Sequence, residues 1–210
     1  MDIFKKILMS GEQNLFLQTR DVTKLALKAN QEFSLIVKNK SNIENIKKIE
    51  NKASNEYLKF SHLITSGAIA PNLIDDMLQI LNKEESILDS IFKLSRQFLR
   101  YKIKDQKTSN YLKTTLLSFN GYAETSITLL SKMHDTESIN KMRAYRSSIK
   151  LIEKEGDTLR DSMLDFAYSN DIDFKLFYHL TDLAYLSDDV LDFCEDSSDL
   201  FLSVMLSIIT

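Results

Sequence analysis

Four glycines and one proline in 210 residues leave this chain almost without turn formers. Ordinary usage of the two together is roughly 12%. A sandwich, barrel or doubly wound sheet needs a turn every ten residues or so, and those turns draw on glycine and proline. A chain this poor in them folds into long helices. Its 43% hydrophobic content is enough for a packed core, and a net charge of −3 excludes the disordered class.

Helical periodicity runs through six segments, about 12–39, 42–65, 72–103, 108–134, 138–169 and 172–206. Ser10 and Gln13 stand at capping-box spacing, which predicts a helix start behind a short N-terminal arm. The stretch from Thr65 to Asn72, with Gly67 and Pro71, is the clear loop. Lys104–Lys107 and His134–Thr136 read as polar connectors. Gly121, inside the fourth helix, costs about 1 kcal/mol relative to alanine, and packing is its expected reason.

The chain repeats internally. Residues 46–99 align with 149–202 at a constant offset and without a gap, with 12 of 54 positions identical. Chance would give roughly 7% from average composition. Apolar identities such as Leu88/Leu191 could reflect shared helical patterning, but acids in register, Glu50/Glu153, Glu85/Asp188 and Asp89/Asp192, are harder to explain that way. The expected architecture is therefore all-α, six helices in two duplicated three-helix bundles, 1–104 and 105–210.

Acids cluster within each unit. Glu153 and Asp157 are four apart on one helix, and Asp188 and Asp192 four apart on the next. Residues at i and i+4 share a helix face, so two antiparallel helices can turn four carboxylates toward one point. Like charges so placed repel, and a hard cation that prefers oxygen ligands relieves the repulsion. The last helix continues the stripe: after Lys175 there is no Lys or Arg, whereas seven acids follow between Asp182 and Asp199. Two readings stand side by side, a solvated acidic face, or a site for a metal or a basic partner. Ala53 and Gly156, at equivalent positions beside the acids, allow close approach of a helix or an ion.

The setting is constrained as well. A pI near 5.7 gives no nucleic-acid footprint. A single cysteine, Cys194, excludes an internal disulfide and suggests a reducing compartment. No secretory signal and no run long enough to span a membrane is present, so a cytoplasmic location is expected. The three histidines have no acid at i−3, which excludes the Glu-x-x-His pairs of a ferritin-like di-iron bundle. Phosphate loops, nucleophile elbows and zincin motifs are missing too.

The segments Ile46–Glu50, Ile69-Ala70-Pro71 with Asp75-Asp76, Glu85-x-x-x-Asp89, Ile152-Glu153-x-x-x-Asp157-x-x-Arg160 and Asp188–Asp199 resemble the PhoU-like family. They are most similar to its branch of accessory proteins found with Pit-type phosphate transporters (domain-of-unknown-function family 47). The resemblance covers nearly the whole chain. It implies two bundles, each with a metal cluster held by a repeated Glu/Asp-x-x-x-Asp motif, and a non-catalytic role in phosphate uptake or its signalling. The ligands so implied are Glu50, Glu85 and Asp89 in the first unit and Glu153, Asp157, Asp188 and Asp192 in the second. Ser54 departs from the pattern, standing where the first motif should carry an aspartate. The metal is left open among Fe, Zn, Mn and Mg.

Three functions follow as expectations. The leading one is a cytoplasmic regulator, at most peripheral to the inner face of the membrane, that docks on a Pit-type phosphate permease, with homo-oligomerisation left open. The others are a metal-dependent phosphate-ester hydrolase, for which the sequence offers no acid–base machinery, and a metal-free helical scaffold. The second carboxylate cluster, with more acids and fewer nearby cations, is expected to bind a metal more tightly than the first.

Overall fold

The computed structural model describes residues 10–66, 71–169 and 171–209, and six α-helices account for most of them. They are α1 (Ser10–Val37), α2 (Ile43–Thr65), α3 (Ile74–Arg100), α4 (Gln106–His134), α5 (Ile139–Ser169) and α6 (Phe174–Ile209), with a single 3-10 turn, Pro71–Leu73, leading into α3. The architecture is all-α, as expected. The expected N-terminal arm and most of the loop around Gly67 lie outside the described residues.

Local chemistry moves some boundaries. The third helix stops at Arg100 instead of running to 103, because Tyr101 turns extended and its hydroxyl reaches Asp173 at 3.3 Å. Gln106 and Lys107 belong to α4 and not to a connector: Asp105 accepts a hydrogen bond from the Thr108 amide at 2.7 Å and caps the helix, which begins two residues before the expected start. Asp173 likewise caps α6, accepting from Lys175 N and Leu176 N at 2.9 and 3.0 Å, and that helix begins at Phe174 instead of 172.

Helices α1, α3, α6 and α4 pack in a closed ring, each touching the next, while α2 flanks α1 and α3, and α5 flanks α4 and α6. Each half of the chain supplies three helices, and the halves meet along two antiparallel seams. Across α1–α4, Asn30 and Asn120 each donate to the other's backbone carbonyl, at 3.0 and 2.7 Å. Across α3–α6, Lys83–Asp196 and Gln97–Asp182 set the register, which places Leu88 opposite Leu191. Buried positions recur at the offset of the sequence repeat: Ile46 and Ile149, Phe60 and Met163, Ile80 and Leu183, Ile87 and Val190 are all fully inside. One continuous apolar core therefore runs through both halves.

The ring encloses a polar group that sequence reasoning passed over. Glu84 of α3 is fully buried. It accepts from Thr23 Oγ1 at 2.8 Å and meets His134 Nε2 at 2.6 Å, so residues far apart in sequence satisfy one another. Cys194 lies nearby, its thiol pushed up by burial and then by the Glu84 charge. No helix among the described residues is long and apolar enough to cross a membrane.

Candidate carboxylate sites

The α5–α6 seam is antiparallel, and its rungs can be read in order. Arg146 grips Asp199, its Nη2 at 2.7 Å, and Lys150 donates to Glu195 at 2.8 Å. That register sets Glu153 against Asp192 on the next rung and Asp157 against Asp188 on the one after. Two rungs of opposite charge thus give way to two of like charge. Arg160, one turn beyond, folds back and donates to Asp157 at 2.5 Å and also to Asp188. It relieves one like-charge rung and leaves Glu153–Asp192 without a bonded cation among the described residues.

The electrostatics follow that arrangement. Glu153 is pushed up to about 7, first by burial and then by the charges of Asp157, Glu195 and Asp192. Asp192 is pushed up to about 6 by burial and by Asp188, Asp157 and Asp189, with Arg160 opposing. Asp188 is raised by burial against the pull of Arg160, and its buried Oδ1 has no hydrogen-bond partner. Burial and carboxylate neighbours both favour a bound proton or cation.

The first half repeats the geometry with different chemistry. Tyr57 donates to Asn82 Oδ1 at 3.2 Å across α2–α3; Tyr57 is the counterpart of Arg160. The same register sets Glu50 against Asp89 and Ser54 against Glu85. Glu50, Glu85 and Asp89 line one cleft of about 200 Å3, together with Ala53, Ser54, Ser86 and Leu88. Glu50 is raised by burial and by Asp89, with Lys47 and Arg96 opposing; Glu85 is raised by burial and by Asp89. Asp89 pairs with Lys93 at 2.6 Å. Ser54, the departure from the expected motif, donates instead to the Glu50 carbonyl at 3.2 Å, a bond internal to its own helix.

All seven sequence-predicted residues therefore lie on the α2–α3 and α5–α6 seams, three around one cleft and four on adjacent rungs. As they stand, no three of the described His, Cys, Asp and Glu side chains form a group drawn together around a metal position. The donor chemistry still fits a hard cation: carboxylates only, an open cleft in the first half and an orphaned buried oxygen in the second. Ala53 lines the open cleft, whereas Gly156 admits Leu191 so closely that α5 and α6 are clamped together.

The acidic stripe of α6, read as a solvated face or as a site for a metal or a basic partner, meets partners from within the chain. Gln97, Arg160, Lys150, Lys83 and Arg146 meet Asp182, Asp188, Glu195, Asp196 and Asp199 in turn. The basic partner is the chain's own α3 and α5. Arg146 and Lys150 carry a readable signal, since their i, i+4 spacing matches that of Glu195 and Asp199 once the helices run antiparallel. No protein-family model matches the chain, and no curated protein matches it.

Proposed function

We propose that the protein is a non-catalytic accessory protein of inorganic phosphate transport that carries cations on its two carboxylate seams and acts on a Pit-type permease. One observation supports the cation part: a like-charge rung, Glu50–Asp89 and Glu153–Asp192, recurs at equivalent positions of the two halves. Glu85 in the first half, and Asp157 and Asp188 in the second, complete the donor sets. A bound divalent or trivalent ion, among Fe, Zn, Mn and Mg, would offer positive charge and exchangeable positions to a phosphate oxygen. Phosphate itself enters through the sequence resemblance.

The test is phosphate uptake in cells with and without the protein, alongside total phosphatase activity. Altered uptake at constant phosphatase activity is expected. Metal-dependent hydrolysis of phosphomonoesters that disappears in Asp192→Ala would instead make the protein a hydrolase. A second reading, a metal-free scaffold, draws on Arg160 and Lys93, which already neutralise a carboxylate in each half. Elemental analysis of the purified protein separates the two.

A further inference from the structure

One end of the bundle combines exposed cations with exposed aromatic rings. The α3–α4 loop and the α5–α6 loop lie side by side there, joined by the Tyr101–Asp173 hydrogen bond and by the Tyr101 ring against His179. Arg100, Lys102, Lys104, Lys107 and Lys175 are all exposed at this end, and none makes an ion pair among the described residues. Lys38 and Lys40 add to them from the α1–α2 turn, which Phe33 against Phe98 holds at the same end. Five acids share the region, Glu32, Glu44, Asp105, Asp171 and Asp173, with Glu32 accepting from Ser41 and Asn45 beside the α1–α2 turn. Two of them, Asp105 and Asp173, are turned onto helix N-termini, where backbone amides hold their carboxyls below the usual range. The seven cations named still outnumber the five acids at this end.

The apolar residues here are out of place for a face that only meets water. Phe174 is 76% exposed and Tyr168 74%, with Tyr178 and Leu99 more than half exposed. Phe174 and Tyr178 lie 5.9 Å apart, ring to ring, and Tyr168 stands edge-on to Phe177. Tyrosine rings with one polar edge beside the wholly apolar Phe174, set among lysines, suit the boundary between headgroups and acyl chains. The cations are mostly lysine, which protein–protein interfaces disfavour and anionic lipid surfaces attract.

We infer that this end of the bundle docks on an anionic membrane surface, with Lys102, Lys104, Lys107 and Lys175 facing the headgroups and Phe174, Tyr178 and Tyr168 entering the interface. Basic charge with a modest apolar insertion gives reversible binding that depends on lipid charge. The surface is separate from the carboxylate seams, so the inference stands or falls independently of cation binding and of the permease.

Co-sedimentation of the full chain with vesicles tests it. Phosphatidylcholine vesicles alone should leave the protein in the supernatant, and vesicles with about 30% phosphatidylglycerol should pellet it. Raising salt to about 1 M, where screening acts within about 3 Å, should release it. The Lys102→Glu/Lys104→Glu variant should bind about tenfold or more weakly, and Phe174→Ser/Tyr178→Ser should bind more weakly too. Leu151→Ser, exposed elsewhere on α5, should bind as the parent does. All these positions are solvent-facing, and unchanged circular dichroism checks that the fold is intact. Failure to pellet with anionic vesicles overturns the inference. So does binding that ignores both double variants. Capture by poly-glutamate that Phe174→Ser/Tyr178→Ser leaves unchanged, with no pelleting, would assign the surface to an acidic protein instead.

Discussion

Leu191 occupies the space beside Gly156 that any side chain there would need: a Cβ on Gly156 would overlap Leu191 Cδ1 and lie 3.5 Å from its Cγ. Both residues are buried. Overpacking a tight site costs about 1–3 kcal/mol, while replacing a mid-helix glycine recovers about 1 kcal/mol of propensity. Gly156→Ala should therefore be neutral to destabilising by about 2 kcal/mol, read as a lower urea midpoint. A clear gain in stability would show that α5 and α6 separate without cost.

Gly121 gives the opposite result. Nothing lies within 4 Å of a Cβ built there, so packing does not explain this glycine and the structure offers no other reason. Gly121→Ala should raise stability by about 0.5–1 kcal/mol, visible as a higher melting temperature. The two glycines form an internal control, since propensity acts equally on both and only Gly156 meets a neighbour.

The pair also shows what sequence could and could not convey. Scarce glycine and proline, together with periodicity, were sufficient for six helices, because helix formation depends on local spacing. The repeat placed Glu50 and Glu153 on matching seams, because the offset is constant and the helices are rigid. The Glu84–His134 pair was not legible, since it depends on the ring closing between helices distant in sequence. Arg160 stood in a noted motif, but its reach to Asp188 depends on how close Gly156 lets α5 come.

Removing one partner of the buried polar group should be costly. His134→Leu leaves the Glu84 carboxylate inside the core with only Thr23 as a donor. Uncompensated buried charge typically costs about 3–5 kcal/mol. Glu84→Met/His134→Leu should be more stable than His134→Leu alone, because it removes the stranded charge. Denaturant unfolding of the four members of the cycle measures this. Additive losses would show that the two side chains are not coupled.

Stability should depend on pH through groups of opposite sign. His179, buried with an unpartnered Nε2, has its pKa lowered to about 4. The unfolded chain then binds the extra proton, so stability falls as pH drops below about 6.5. Glu153 works the other way. With its pKa raised to about 7, the folded state holds a proton that the unfolded state releases near 4.5, so stability declines as pH rises toward 7. In chelator-treated protein, Glu153→Gln should lessen the decline, most clearly between pH 6 and 7, where Asp192, raised only to about 6, contributes little. Identical slopes for parent and variant would mean that the carboxylate crowding does not reach Glu153.

Arg160 is the built-in competitor of any cation at the second seam, so its removal makes the sharpest test. Arg160→Gln leaves Asp157 and the buried Asp188 facing each other without their guanidinium. Metal-free, the variant should melt below the parent. With Mn or Zn it should recover and bind the ion more tightly by about tenfold or more, since one charge near a surface is worth roughly 1–4 kcal/mol at such distances. Asp192→Ala should abolish this tight binding, whereas Asp89→Ala, on the other seam, should leave it intact. Calorimetric titration of chelator-stripped protein, paired with thermal melts, reads both effects. If Arg160→Gln destabilises the protein and no ion restores it, the guanidinium serves only to clamp α5 onto α6, and the scaffold reading takes precedence over the cation site.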